Sequence, residues 1–180
     1  MKFKITLNIN REHGNLLPFN YQYEQSAVIY RILAQADTQY ASWLHENGYL
    51  LNGSKRFKLF CYSPFIFERV RPLPKERCLN ITGERATWYI SFIPEKSTME
   101  FIQGIFAHQS FTIGNKEHHV AFDVVGVEVI PMPQLSEEMT FVALSPVCIK
   151  LHEDGKTQYL SPDNPMFAEG ILKGLKARYE

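Results

Sequence analysis

Apolar and polar side chains alternate along the first ten residues of the chain. Phe3, Ile5, Leu7 and Ile9 are separated by lysine, threonine and asparagine residues. This period of two is typical of a β-strand with one buried face. The pattern predicts that the sequence opens with a strand that forms one side of a hydrophobic core.

The period then changes to that of an amphipathic helix. Four apolar residues of segment 22–36 share one helical face: Ile29, Ile32, Leu33 and Ala36. Asp37 or Thr38 can cap a second, shorter helix that carries Tyr40 and Leu44. We therefore expect two consecutive helices with a break near Asp37.

Two strands are predicted next, at residues 57–62 and 87–93, the second with clean alternation. Three prolines lie between them: Pro64, Pro72 and Pro74. Because proline disrupts regular backbone hydrogen bonding, we expect the stretch between the two strands to be irregular.

The next elements complete a recognisable order. Ser97 and Glu100 have the spacing of a capping box at the start of a helix, and residues 118–130 predict a long strand. The apolar phase of that strand shifts near Val124, which indicates a β-bulge. The order β-α-β-β-α-β predicts an α+β, ferredoxin-like (split βαβ) domain over residues 1–132, with a four-stranded antiparallel sheet and helices on one face.

A second unit is predicted over residues 133–180, after the prolines at positions 131 and 133. From Met139 to Leu151, apolar residues recur at the alternate positions expected of one strand. Asn164 and Pro165 indicate the start of a helix. These elements predict the first strand and helix of an incomplete second ferredoxin-like domain. Two elements cannot bury a core alone, so we expect them to pack on the first domain or on a second copy, which would form a homodimer.

Composition and charge narrow the class of protein. Hydrophobic residues make up 45% of the chain, and 19 basic residues balance 19 acidic ones, as in a globular protein. The three cysteines are widely spaced, which favours reduced packing residues in a cytoplasmic protein, and no apolar run is long enough for a membrane span. His118 and His119 would face opposite ways in a strand, so no metal site is predicted, and no motif indicates a cofactor.

The basic residues are unevenly distributed. Eight of them lie between Lys55 and Arg85, against three acidic residues. A solvated, charged loop explains such a run about as well as contact with nucleic acid does. If the run contacts nucleic acid, four cations are the candidates for binding it: Lys55, Arg56, Arg69 and Arg71.

Three side chains are candidates for chemistry: Tyr30, His45 and Lys58. Taken singly, each has an ordinary structural explanation: a tyrosine at the edge of the core, a histidine on the surface and a lysine that faces solvent. Together they supply groups for proton transfer and for stabilising negative charge on a phosphate. In one straight helix Tyr30 and His45 would be roughly 22 Å apart, so a shared site requires the break near Asp37.

Several segments of the chain together match a known family: the first strand, residues 17–23, 29–30, 40–45 and 55–60, and Phe141–Pro146. They resemble the CRISPR-associated endoribonucleases of the Cas-six family, which cut precursor CRISPR RNA within its repeats. It implies two ferredoxin-like domains in tandem and a metal-independent cleavage by the 2′-hydroxyl that leaves a 2′,3′-cyclic phosphate. Read residue by residue, Tyr30, His45 and Lys58 stand at the positions of the family's catalytic tyrosine, histidine and lysine.

The resemblance also implies CRISPR repeat RNA as the partner, together with proteins of an interference complex. The family's second domain carries a glycine-rich loop that contributes to RNA binding, whereas Gly170 and Gly174 lie in a predicted helix here. We therefore expect a second domain that is truncated relative to the family. An RNA-binding fragment with weak or no catalysis is the alternative function, and a ferredoxin-like ligand-binding or assembly domain is a third.

Overall fold

The computed structural model describes residues 1–50, 56–143, 145–153 and 155–179. The helices are α1 (Gln22–Ala36), α2 (Thr38–Glu46), α3 (Glu95–Ala107) and α4 (Pro165–Tyr179). The strands are β1 (Lys2–Asn10), β2 (Leu16–Pro18), β3 (Tyr49–Leu50), β4 (Arg56–Phe57), β5 (Phe60–Tyr62), β6 (Ile66–Phe67), β7 (Val70–Leu73), β8 (Cys78–Ile81), β9 (Arg85–Phe92), β10 (Ser110–Gly114), β11 (His119–Ile130), β12 (Ile149–Glu153) and β13 (Lys156–Leu160).

The main sheet has the antiparallel order β10-β11-β1-β9-β5, with β6 also paired to β9. Strand β1 is central, and its alternating residues form the buried face that the sequence predicts. The four predicted strands are adjacent in the order β11-β1-β9-β5, which is the arrangement of a ferredoxin-like sheet. The predicted fold class is confirmed, and β10 adds one edge strand that the pattern did not indicate.

The core lies between this sheet and helices α1 and α3. Phe3, Ile5 and Leu7 of β1 are buried in one cluster with Ile29 of α1 and Phe101 of α3. The two helices pack closely, and the burial of apolar side chains against β1 and β9 is the main stabilising contribution. The predicted apolar face of α1 is confirmed at Ile29, Ile32 and Leu33, whereas Ala36, at the end of the helix, is exposed.

The predicted bulge and helix break are both confirmed. In the pairing of β1 with β11, Thr6 lies opposite Gly126 and Leu7 opposite Val124, so Val125 is the extra residue. Helix α1 ends at Ala36, and the carboxylate of Asp37 accepts a hydrogen bond from the Tyr40 amide (2.8 Å), which caps α2.

We expected the stretch between the predicted strands at residues 57–62 and 87–93 to be irregular, and this prediction was wrong. Strands β7 and β8 form a hairpin there, and β8 also pairs with β2. Pro72 is tolerated because β7 is an edge strand, and Pro74 lies in the turn, where its carbonyl accepts a hydrogen bond from the Arg77 amide.

The predicted capping box was also wrong. Helix α3 begins at Glu95, directly after Pro94, and Ser97 is a fully buried residue inside the helix. Its hydroxyl is hydrogen-bonded to the Tyr40 hydroxyl and does not cap the helix. The local spacing matched the motif, but a distant partner determined the role of this serine.

In the second unit, the predicted strand from Met139 is found only from Ile149 onward. Strand β12 pairs with β13, a mostly polar strand that the pattern missed. Helix α4 begins at Pro165, where the Asn164 side chain accepts a hydrogen bond from the Met166 amide, and its start is confirmed. Leu172 and Leu175 of α4 are exposed. The domain boundary at residue 132 and the homodimer stay predictions.

Within the described residues, no helix is long and apolar enough to cross a membrane. The three cysteines are free thiols, of which only Cys78 is buried; the expectation that Cys61 and Cys148 are packing residues was wrong, because both are exposed. Both lie in or next to short edge elements that leave one side of the chain in solvent.

We predict that Gly104→Ala destabilises the fold. In a helix interior, alanine is normally more stabilising than glycine by about 1 kcal/mol. At Gly104, however, an added Cβ would lie 1.8 Å from the carbonyl oxygen of Ile32, so α1 and α3 would have to separate. Overpacking of this kind costs about 1–3 kcal/mol, which urea unfolding would detect. Gln103→Ala, at the exposed neighbouring position, is the control. Equal stability of Gly104→Ala and the parent chain would contradict the proposed helix crossing.

Candidate active site

Tyr30 and His45 meet at one side of the helical layer. Tyr30 lies half-buried on α1, and His45 lies exposed in the last turn of α2. Their ring centroids are 4.9 Å apart and the rings are nearly perpendicular (86°). The break at Asp37 turns α2 back along α1, so two side chains fifteen positions apart in sequence become neighbours.

Aromatic residues of β5 pack beside Tyr30. The Phe60 ring contacts the Tyr30 ring edge-on at 5.8 Å and stacks with Tyr62. Burial raises the pKa of the Tyr30 phenol, and the neighbouring Tyr62 raises it further. Tyr30 therefore remains protonated at neutral pH and can donate a hydrogen bond or a proton.

Lys58, which directly follows β4, connects this part of the chain to α2, the helix that carries His45. Its ammonium donates hydrogen bonds to the backbone carbonyls of Leu44 (2.6 Å) and His45 (2.5 Å). These carbonyls lie at the negative end of α2, where a cation is stabilising. Burial lowers the pKa of the Lys58 ammonium, and the charge of Arg56 lowers it further.

Gly48 allows the chain after α2 to pass close to Phe57 and Lys58. It has a φ of +69°, and an added Cβ would lie 2.7 Å from the carbonyl oxygen of Phe57 and 3.2 Å from Cδ of Lys58. The conformation and the close approach both favour glycine. The sequence analysis did not identify this position, although a glycine just after a predicted helix is a recognisable end signal.

The three candidate RNA-binding residues that the structure describes do not form one patch. Arg56 is exposed in β4, next to Lys58, whereas Lys55 lies outside the described residues. Phe60 pairs with Phe92 and Phe67 with Ala86, so the chain runs roughly 20 Å along β9 between these pairs.

Arg69 and Arg71 come after that run. The Glu68 amide still donates to the Arg85 carbonyl at the start of β9, and Arg71 lies in β7; both arginines are exposed. The structure therefore places them at the opposite end of β9 from Lys58. Any contact that they make with a ligand involves a different part of it.

A cleft of about 440 Å³ adjoins the site at the edge formed by β4 and β5. Its lining comprises Arg56, Phe57, Lys58, Leu59, Phe60, Cys61, Ser91 and Ile93. The volume is within the range of small-ligand sites, and the lining combines two cations with aromatic and aliphatic side chains. Such a surface suits a phosphate-bearing ligand with a planar ring.

Across the described ranges, no group of three or more histidine, cysteine, aspartate or glutamate side chains could hold a metal ion. The available groups are a protonated phenol, an imidazole and an ammonium. They suit proton transfer to and from oxygen atoms at a phosphate, with a nearby positive charge.

Two family models match the chain in succession. One, described as CRISPR-associated protein Cas6, N-terminal, matches residues 16–123. The other, described as CRISPR associated protein Cas6, C-terminal, matches residues 130–180.

Curated relatives align with nearly the whole chain. It is 29% identical over 181 residues to CRISPR-associated endoribonuclease Cas6 1 of Methanocaldococcus jannaschii, covering 98% of the chain and 65% of that protein. It is 24% identical over 180 residues to CRISPR-associated endoribonuclease Cas6 of Pyrococcus furiosus, covering 99% of the chain and 64% of that protein. The chain thus spans slightly less than two thirds of the length of these relatives.

Solved structures show the same fold. A structure titled "Characterization of a Cas6-related gene from Pyrococcus furiosus" has a TM-score of 0.79 at 22% identity, covering 99% of this chain and 69% of that one. "An RAMP protein binding different RNA substrates" has a TM-score of 0.76 at 23% identity, with 99% and 70% covered. "CRISPR associated protein Cas6" has a TM-score of 0.68 at 26% identity, with 100% and 70% covered.

The N-terminal family model alone matches more than half of the chain, and the C-terminal model matches most of the remainder. The chain therefore belongs to the CRISPR-associated protein Cas6 family.

Proposed function

We propose that the chain is an endoribonuclease that cleaves precursor CRISPR RNA within its repeats, with Tyr30, His45 and Lys58 at the cleavage site. The observation that carries this proposal is the approach of the Tyr30 and His45 rings to 4.9 Å, which requires a specific break between two helices. Family membership supports the same chemistry, since two relatives are named endoribonucleases.

The proposed reaction is a transesterification that needs no metal ion. The 2′-oxygen of the nucleotide before the scissile bond attacks phosphorus, and the bond from phosphorus to the 5′-oxygen breaks. The products are a 2′,3′-cyclic phosphate and a 5′-hydroxyl, so one proton is removed from the 2′-hydroxyl and one is delivered to the 5′-oxygen. No water molecule is consumed in this step.

The environments of the two rings suggest how they divide the proton transfers. Since burial keeps the Tyr30 phenol protonated, it is suited to donate to the departing 5′-oxygen. An imidazole nitrogen can accept a proton, and the exposed side chain of His45 is accessible to substrate. We therefore assign His45 as the base and Tyr30 as the donor.

Lys58 has two proposed roles. Its hydrogen bonds to the Leu44 and His45 carbonyls hold the end of α2 in place. Its charge, with that of Arg56, would also stabilise the additional negative charge on the phosphorane. The cleft beside these two cations provides space for the nucleotide next to the scissile phosphate.

RNA binding is proposed to extend well beyond the cleavage site. Arg69 and Arg71 lie at the far end of β9, so they would contact phosphates away from the scissile bond. Lys55, which precedes Arg56 in the sequence, is proposed as a further contact. An interference complex and a second copy of the chain remain proposed partners, and the cytoplasm the proposed location.

The second candidate function is RNA binding with weak or no cleavage. It is favoured by one observation: Arg69 and Arg71 are exposed at the opposite end of β9 from Lys58, so they can bind RNA phosphates without taking part in cleavage. Incubating the chain with a labelled CRISPR repeat and a chelator separates the two functions. Binding without cleavage would support the alternative, and cleavage that requires added metal would contradict the proposed mechanism.

We predict that His45→Ala slows single-turnover cleavage by about 10² to 10⁴, the usual contribution of a general acid or base. The dissociation constant for the repeat should stay nearly unchanged, because proton transfer contributes little to ground-state affinity. His108→Ala, an exposed histidine after α3, is the matched control and should cleave at the parent rate. If His45→Ala cleaves as fast as the parent chain, His45 has no place in the mechanism.

We predict that replacing Arg69 and Arg71 with alanine weakens RNA binding in a salt-dependent way. Each lost contact with a single-stranded phosphate reduces the slope of log K against log salt by about 0.7, so the double variant should lose about 1.4. Lys116→Ala with Lys156→Ala removes two exposed charges elsewhere and should leave the slope unchanged. Equal slopes for the arginine variant and the parent chain would show that these arginines do not contact RNA.

A further inference from the structure

Helix α2 is short, and the orientation of His45 depends on what holds this helix in place. At its start, Asp37 accepts the Tyr40 amide and forms an ion pair with Lys96 of α3 (3.1 Å). At its end, Lys58 binds the last carbonyls. Between these two points, one buried side chain connects α2 to two other elements.

That side chain is Tyr40, whose hydroxyl has two hydrogen-bond partners. One is the Ser97 hydroxyl in the first turn of α3, and the other is the Tyr49 hydroxyl in β3, at 2.9 Å. Ser97 is fully buried, so its hydroxyl depends on a protein partner. The three hydroxyls therefore form a chain across α3, α2 and β3.

The Tyr40 ring is held as firmly as its hydroxyl. The Trp43 ring stacks on it with centroids 5.8 Å apart, and the Lys96 ammonium lies 4.8 Å from its centroid. Trp43 also meets Tyr49 edge-on at 5.1 Å. These contacts use the faces of the ring, so they persist if only the hydroxyl is removed.

The Tyr40 phenol is a neutral group at neutral pH. Burial raises the pKa of this phenol well above its usual value. Its hydroxyl is also occupied by Ser97 and Tyr49. Its role is therefore that of a fixed hydrogen-bonding group.

We infer that Tyr40 is a positioning residue for His45: its hydroxyl fastens α2 to α3 and β3 and thereby holds the imidazole against the Tyr30 ring. The effect on cleavage rests on the proposed function, whereas the effect on the position of His45 relative to Tyr30 does not. Tyr40 and His45 are five positions apart on the same helix, so a rotation or shift of α2 moves both.

The first test measures geometry without RNA. In Tyr40→Phe, the nuclear Overhauser effect between the rings of Tyr30 and His45 is expected to weaken, because α2 loses its hydrogen bonds to α3 and β3. Tyr23→Phe, which removes a hydroxyl from an 83% exposed tyrosine on α1, should leave this effect unchanged. Ser97→Ala removes the same hydrogen bond from the other side and gives an independent variant. An unchanged effect in Tyr40→Phe and Ser97→Ala overturns the inference.

The second test measures cleavage of a labelled repeat. Tyr40→Phe should lower the single-turnover rate about ten- to hundredfold at an unchanged dissociation constant, since small displacements of catalytic groups have effects of this size. The double variant with Ser97→Ala should cleave about as slowly as Tyr40→Phe alone, because both changes remove one interaction. A weakened ring contact with an unchanged rate would leave the positioning intact and count against the proposed role of His45. A slower rate with an unchanged ring contact would overturn the positioning.

Discussion

The site depends on one local interaction, the cap that Asp37 provides at the start of α2. The Asp37 carboxylate accepts the Tyr40 amide and also pairs with Lys96, and these contacts lower the pKa of the carboxyl group, the amide contact most. The cap ends one helix and starts another within a single residue. Without this break, α1 and α2 would continue in one direction and the rings of Tyr30 and His45 would lie far apart.

The parts of the fold that sequence predicts well are those that local chemistry determines. Alternation along β1, the helical face of α1 and the capping residue at Asp37 each act within a few residues, and all three predictions are confirmed. The bulge in β11 is of the same kind, because the shift of apolar phase near Val125 is visible in the sequence.

The features that sequence reasoning missed are those decided by distant partners. Ser97 matched a capping motif, but burial against Tyr40 gives it another role. Pro72 suggested irregular backbone, yet an edge strand accommodates it. Lys58 was identified as a cation, but its contacts with the carbonyls of α2 follow from the close approach of a strand to a helix end.

In the proposed mechanism, His45 removes the proton of the 2′-hydroxyl of a CRISPR repeat RNA, and Tyr30 donates a proton to the departing 5′-oxygen. The most direct measurement uses a repeat with a single 2′-deoxy substitution at the nucleotide before the scissile phosphate, with chelator present. We expect this RNA to bind with unchanged affinity and not to be cleaved at that position. Cleavage of the substituted repeat at the same phosphate would contradict the account, since the nucleophile would then have to be water or a protein group.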